Sequence, residues 1–502
     1  MKRNVDALAD DVFDVLILGG GITGAGVALD AVLRGLRVAL IDKGDFASGT
    51  SSASSKLVHG GLRYLEHGHL SLVYEALHER RLLLQNAPHL VRPLRFLVPF
   101  RAGARVPPWK WRAGLTLYDL LAGGGNLHRS RPYLLRTLRD EVPQLRAVGL
   151  QGGAEYYDAQ MDDARLCIEV LRTAALHGAR VANYVEAIAF EQTGGQITGV
   201  RAVDHASGRE LRIHTRVVVN ATGPWVDAVC RLAGEDGLPH LQPTKGVHLI
   251  APGRGLTRAF LLLHPRDGRV FFVIPWMNKT LIGTTDTACD EPPEQLHVLP
   301  EEISYLLEGH NHHLEPALHP GDVLGSFAGL RPLIRARPGE PSSRSREYRL
   351  FWSPNGLLSV AGGKYTTYRH MAEVITDAVT RRLGRFRIGG TRGLQLDGAP
   401  AQLWRGFAEQ ESTRLGRSSL LSAASACHLV ERYGRRAADV AALVERDPKL
   451  GQPVLVGEPD LRAEFLYQRE HEMALFPADH LLRRTRLGLF HPGLLAAPLE
   501  MT

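Results

Sequence analysis

The first sustained apolar run along the chain is "FDVLIL", residues 13–18, too short for a helix and free of polar alternation. Such a run predicts a strand buried on both faces, as in a parallel sheet. Glycines follow, then "AGVALDAVLRGL" with helical spacing, then a second apolar run, "RVALID", at 37–42. Strand, turn, helix and strand within about 30 residues make a βαβ unit. A further apolar run, "RVVVN" (216–220), ends in "ATGPW", and "ARVANYVEAIAF" and "QITGVRAVD" before it read as strands. A third glycine-ended strand opens "GLLSVAGGKYTTYRHMAE" (356–373), whose tail has helical spacing.

Three glycine-terminated strands so far apart predict one dinucleotide domain interrupted by insertions. Its pieces are set at residues 10–75, 145–235 and 320–395, with the insertions 76–144 and 236–319 building a substrate or cap domain. After about residue 395 the pattern turns to amphipathic helices, such as "ACHLVERYGRRAADVAALVER" (426–446), so 396–502 is expected to be a helical C-terminal domain. No internal repeat or long low-complexity tract is evident.

At 502 residues, 44% hydrophobic and 23% charged, the chain suits a multi-domain globular protein and not a disordered one. The excess of 60 basic over 53 acidic residues is small, but it is unevenly placed. From Arg92 to Arg139 there are Arg92, Arg95, Arg101, Arg105, Lys110, Arg112, Arg129, Arg131, Arg136 and Arg139 against one acid, Asp119. Within that span "PPWKWRAGLTLYDLLAGG" (107–124) interleaves tryptophans with cations ahead of leucines. That pattern favours an anionic lipid surface. No nucleic-acid motif accompanies the charge, so no nucleic-acid partner is expected. No stretch is long enough to span a bilayer. "MKRNVDALADDVFD" has no signal-peptide pattern. Cys167, Cys230, Cys289 and Cys427 form no CxxC pair. A reducing cytoplasm and no metal site are therefore expected.

"ILGGGITGAG" holds Gly19-x-Gly21-x-x-Gly24 between strand and helix, with Asp42 closing the next strand. Gly19 allows the tight turn, Gly21 the approach of a pyrophosphate, and Gly24 close helix packing. The helix N-terminus faces the phosphates, and Asp42 can accept from a ribose. On this motif alone FAD and NAD both remain open. "NATGPW" (220–225) and "AGGKYTTYR" (361–369) add backbone turns and a second helix start, favouring FAD held along its length. "SSASSKLVHGGLRYLE" (51–66) starts with the composition of a linker, yet nine residues after Asp42 its serines and glycines are placed as a cradle.

These motifs, with "TKGVHLI", "FFVIPW", "IGTTDT", "AGLRPL", "SREY" and "HEMAL…DHLLRRTRLGL", closely resemble the flavin-dependent glycerol-3-phosphate dehydrogenases, in order over essentially the whole chain. The resemblance implies an FAD domain of glutathione-reductase type, an inserted antiparallel-sheet substrate domain and a helical C-terminal domain. It implies oxidation of sn-glycerol 3-phosphate to dihydroxyacetone phosphate, with electrons passed to membrane quinone by an enzyme lying on the inner face of the cell membrane. Many flavoproteins of this type carry Glu where Asp42 stands; either binds ribose. Calcium control is not expected.

Along the cofactor the resemblance sets Gly19, Gly20, Gly21, Ile22, Thr23, Gly24, Asp42, Thr50, Ser51, Ser52, Ser55, Lys56, Leu57, His59, Gly60, Gly61, Val185, Gly223, Trp225, Gly363, Lys364, Thr366 and Thr367. A phosphate dianion needs fixed cations, and guanidinium forks match it. Arg63, Arg331, Arg346 and Lys364 are the candidates, with Tyr64 as a hydrogen-bond donor. Taken singly, each arginine would read as a surface salt bridge; the four motifs together point to the substrate. The reaction also needs a base near C2. Arginine never deprotonates, whereas histidine titrates in range. His248 is the first candidate and His59 the second, and Arg331 is grouped with them as catalytic. A glycerol-3-phosphate oxidase, releasing peroxide, is the nearest rival. An amine or amino-acid oxidase and a non-catalytic nucleotide-binding scaffold fit the cations and flavin motifs less well. A homodimer is among the partners considered.

Overall fold

The structure, a computed structural model, describes residues 1–235, 240–335, 348–417 and 420–496, without the side chains of Arg63 and His67. The apolar runs become wholly buried strands, Val15–Leu18 and Val38–Ile41. They sit inside a six-stranded sheet ordered Tyr348–Trp352, Leu357–Gly362, Val218–Asn220, Val15–Leu18, Val38–Ile41, Arg180–Ala182. Every pairing is parallel except the first. Three helices, Ile22–Leu33, Asp163–Leu176 and Tyr368–Arg382, pack together on one face. The other face is covered by a four-stranded sheet, with Leu16, Leu18, Ala39 and Ile41 meeting Val200 and Ile213. Burial on both faces explains why these strands lack polar alternation.

A ten-stranded, mostly antiparallel sheet forms the second body. Its centre is Thr244–Pro252, paired with Lys279–Gly283, Thr287–Ala288 and Gly325–Arg331. It continues through Val270–Trp276, Ala259–Leu263 and Val91–Arg101 to Leu150–Met161. The sequence pattern places residues 150–161 and 325–331 in the nucleotide domain. The structure instead pairs them with strands of the insertions. The physical reason is the long antiparallel ladder from Val91↔Met161 to Arg101↔Leu150, and a second from Thr244↔Arg331 to Ile250↔Gly325.

Beyond residue 395, helices Trp404–Gly416, Ala423–Tyr433, Ala437–Arg446 and Arg462–Glu472 enclose their own core around Leu429, Val440 and Tyr467. Buried ion pairs fasten this unit to the nucleotide domain. Arg165 Nη2 donates to Glu472 Oε1 at 2.8 Å, Arg483 and Arg484 both donate to Asp45, and Arg486 donates to Asp162.

Candidate active site

The nucleotide turn forms where three backbones converge. Gly19 has φ +105°, and a Cβ there would lie 2.7 Å from Ala221 O at the end of the neighbouring strand. A Cβ on Gly24 would lie 1.9 Å from Gly19 O, so only glycine lets the helix Ile22–Leu33 start this close to the sheet. Asp42 accepts from the N–H of Gly20 (2.6 Å) and of Gly44 (2.8 Å). Burial pushes its carboxyl up to about 6, against the pull of those two bonds. Asp42 thus shapes the turn, and each oxygen keeps a lone pair for a ribose hydroxyl.

The residues fit FAD. A Cβ on Gly21 would approach only Ser51 Oγ, at 3.1 Å, and a Cβ on Gly223 (φ +60°) would meet open space, so the backbone lies bare at both turns. Ser51 Oγ accepts from the Ile22 N–H at 2.9 Å, leaving its own hydrogen to donate beside the helix N-terminus. Trp225 donates to Glu294, and Lys43 lies 4.5 Å from the centre of its ring. Val185 N–H closes on Asp42 O at 2.7 Å.

From Thr50 onward the serine-rich stretch is stitched to both bodies. Thr50 Oγ1 donates to Leu330 O (2.7 Å), Ser52 Oγ to Gly49 O (3.4 Å), and Ser54 Oγ to Asp163 Oδ2 (2.7 Å). Lys56, expected on the cofactor, is fully buried, and its ammonium donates to both oxygens of Asp163 at 2.7–2.8 Å and to Ser52 O. Its charge is neutralised inside the protein. The partner Asp163 had no sequence signal, lying 107 residues away. Leu57 pairs with Gln160 across the sheet. His59 N–H donates to Thr366 Oγ1 at 3.2 Å, which joins this stretch to the turn holding Gly363 (φ +102°), Lys364 and Thr367. Gly60 N–H donates to Tyr118 Oη at 2.8 Å, part of a buried set with Asp158 and Arg80 that sequence reasoning missed. Gly61, at φ +75°, then starts the turn Leu62–His67.

The candidate base lies on the central strand of the larger sheet. His248 stands opposite Gly283 on one side and Phe327 on the other. A Cβ on Gly283 would strike the imidazole at 2.2 Å, while Phe327 stacks on it at 4.9 Å and 15°. Cross-strand register therefore fixes the ring. Among the described residues Nδ1 is buried without a hydrogen-bond partner, and Nε2 shares a 2.8 Å hydrogen bond with Ser55 Oγ. Burial first, then the charges of Arg331 and Lys56, hold its pKa well below 6.5, so the ring is neutral at pH 7.

Gly246 leaves the space that the Arg331 guanidinium fills, since a Cβ there would lie 2.4 Å from Nη2. The fork donates to Thr284 Oγ1 (2.9 Å), Thr285 O (3.0 Å) and Asp286 Oδ1 (3.0 Å). The motif "IGTTDT" supplies all three. The Lys364 ammonium lies 3.8 Å from the centre of the Tyr64 ring, a cation–π contact. Arg63 lies in the turn Leu62–His67 with its side chain outside the described parts, and Arg346 falls wholly outside the described residues.

Comparison with known proteins agrees with this geometry. Residues 14–369 match the family described as FAD dependent oxidoreductase, and residues 389–499 match the C-terminal domain of alpha-glycerophosphate oxidase. The chain is 37% identical to the mitochondrial glycerol-3-phosphate dehydrogenase SDP6 of Arabidopsis thaliana, covering 99% of this chain and 82% of that one. It is 38% identical to glycerol-3-phosphate dehydrogenase 2 of Mycobacterium tuberculosis, over 97% and 83%. The crystal structure of the Bacillus halodurans glycerol-3-phosphate dehydrogenase complexed with FAD superposes with a TM-score of 0.81 at 32% identity, over 98% of this chain and 89% of that one. The FAD-bound L-alpha-glycerophosphate oxidase of Mycoplasma pneumoniae shares the fold, with a TM-score of 0.58, 17% identity, and 76% and 98% coverage. A turn built for a dinucleotide, a sheet that carries the candidate base, and relatives matched over nearly the whole of this chain place it in the family of FAD-dependent glycerol-3-phosphate dehydrogenases, with FAD as its cofactor.

Proposed function

We propose that the protein oxidises sn-glycerol 3-phosphate to dihydroxyacetone phosphate and passes the electrons to a membrane quinone. The observation that carries this reading is the course of residues 51–64. This one stretch caps the nucleotide helix through Ser51, bonds His248 through Ser55, and lays Tyr64 against Lys364. Cofactor, base and substrate cations are thereby held in one frame. Bound FAD supplies the hydride acceptor for C2. Neutral His248 takes the hydroxyl proton, with Ser55 Oγ, bonded to Nε2, orienting the ring. Arg331, Lys364 and Tyr64 receive the phosphate, together with Arg63 and Arg346. Anaerobic addition of glycerol 3-phosphate should bleach the flavin absorbance, and no bleaching would overturn the reading. His248→Ala should slow flavin reduction roughly 100-fold.

The quinone half of the proposal is supported by the helix Pro108–Ala122. Leu115 and Tyr118 bury one side, while Trp109 (70% exposed) and Leu120 (72%) face outward beside exposed Lys110 and Arg112. Among the described residues no helix is long and apolar enough to cross a membrane, so attachment would be peripheral. Reduction of a quinone analogue without matching peroxide supports a dehydrogenase; peroxide release would favour the oxidase alternative.

A further inference from the structure

The helix Val226–Leu232 and the chain after it carry a side-chain group that the reaction does not use. Cys230 Sγ, a Glu235 carboxylate oxygen and a His240 ring nitrogen all lie within 4.8 Å of one another. We propose that Cys230, Glu235 and His240 bind one divalent cation of the zinc class. The cysteines form no CxxC pair; the ligand spacing here is Cys-x4-Glu-x4-His, with a single thiol.

The donor set is the first argument. Thiolate, imidazole and carboxylate together match zinc, and three protein ligands leave a fourth position for water. The surroundings are the second, because metal ligands need partners that orient them. Asn220 Nδ2 and Ser359 Oγ lie 3.7 and 3.4 Å from Cys230 Sγ, placed to support a thiolate. Ser353 Oγ donates to Glu235 Oε2 at 2.7 Å and so directs the other oxygen, Oε1, at His240 Nε2, 3.0 Å away. Asp227 accepts from the His240 backbone N–H at 3.0 Å, and the imidazole packs 4.2 Å from the Phe351 ring centre.

Charge is the third. The other such group, His428, Asp460 and Glu464, already holds a cation, because the Arg432 guanidinium donates to both of its carboxylates. Among the described residues, no lysine or arginine side chain bonds Cys230, Glu235 or His240. On binding, the Cys230 S–H proton leaves to solvent as the sulfur–metal bond forms. Thiolate and carboxylate then neutralise the 2+ charge in a largely buried setting. The site would tie the helix to Asn220, directly before the Ala221–Trp225 turn at the cofactor.

The test uses the FAD-bound full chain carrying Cys427→Ser, which removes the exposed thiol. After chelator treatment the protein is titrated with Zn2+ against a chromophoric chelator, and with Co2+ by absorbance. One equivalent of Zn2+, a thiolate-to-cobalt charge-transfer band and a raised thermal midpoint are expected. Cys230→Ser and His240→Gln should each weaken uptake roughly 100-fold or more. No stoichiometric uptake, cobalt binding without the sulfur band, or equal uptake by His240→Gln would overturn the proposal. The part-exposed His240 variant and the cobalt spectrum of the parent decide the matter even if Cys230→Ser does not fold.

Discussion

Replacing Asp45 with Asn removes the charge on which the C-terminal unit is anchored. Asp45 is buried in the turn after the strand Val38–Ile41, where it accepts from Asn183, Arg483 and Arg484. Burial alone would raise its pKa, but Arg484 and Arg483 outweigh that and hold it below the usual carboxylate range. Its stabilisation is therefore present above its unfolded value and is lost only as pH falls through the still lower folded value. Breaking a buried ion pair by removing one partner costs about 3–5 kcal/mol. Asn keeps one acceptor oxygen, and Arg483 still has Asp479, so the low end, about 3 kcal/mol, applies. At about 2.1 cal/mol/K per residue, unfolding of the whole chain carries roughly 1 kcal/mol/K, and the midpoint should drop about 3 °C. Should the roughly 100-residue C-terminal unit melt alone, the same loss becomes about 15 °C in that transition. Calorimetry at pH 7, with flavin fluorescence followed in parallel, separates the two. Faster FAD loss should accompany either, because the next residue, Phe46, backs the nucleotide turn 2.5 Å from where a Gly20 Cβ would stand. The loss of the buried pair should be fully expressed at pH 7, so the anchoring argument is refuted if no transition moves by more than about 1 °C there.

Gly24→Ala should yield protein without FAD, since its Cβ would lie 1.9 Å from Gly19 O; a normal flavin spectrum after purification would count against the turn geometry. Ser55→Ala should slow flavin reduction roughly 10-fold, the worth of one positioning hydrogen bond of about 1.4 kcal/mol, and Ser55→Thr should restore most of it. Because His248 has its pKa held well below 6.5, the base form persists as pH falls. Stopped-flow flavin reduction should show no acid limb from His248 between pH 8 and 6.5, and a limb there that vanishes in His248→Ala would contradict this. Trp109→Ser with Leu120→Ser should abolish co-sedimentation with anionic liposomes while leaving turnover with a soluble acceptor intact; unchanged sedimentation would remove that helix from the membrane reading.

The parallel core could be read from sequence because burial on both faces leaves an uninterrupted apolar run, as at Val15–Leu18 and Val38–Ile41. The nucleotide turn was readable because backbone convergence at Gly19 and Gly24 admits no side chain. Long-range pairing was not. Residues 150–161 contain two glycines and uneven alternation, so nothing local marks them as partners of Val91–Arg101. The pairing of Lys56 with Asp163 was equally hidden, as was the joining of Arg165 to Glu472 across 307 positions. A charged side chain has the same letter whether solvent or a distant carboxylate neutralises it. For the same reason nothing in "DHLLRRTRLGL" announces that Arg484 and Arg486 are fully buried.

The strand order of the nucleotide sheet also sets a timetable. Val15–Leu18 precedes its neighbour Val218–Asn220 by some two hundred residues, and Leu357–Gly362, which flanks that neighbour, comes later still. At about 5–20 residues per second, roughly 340 residues of synthesis separate the first of these strands from the last, an interval of about 17–70 s. Through the first part of that interval, until Val218–Asn220 is made, the glycine turn lacks the carbonyl of Ala221 against which it closes. The turn can close only once Ala221 has been made, and the arginines that lock Asp45 follow more than 250 residues after it.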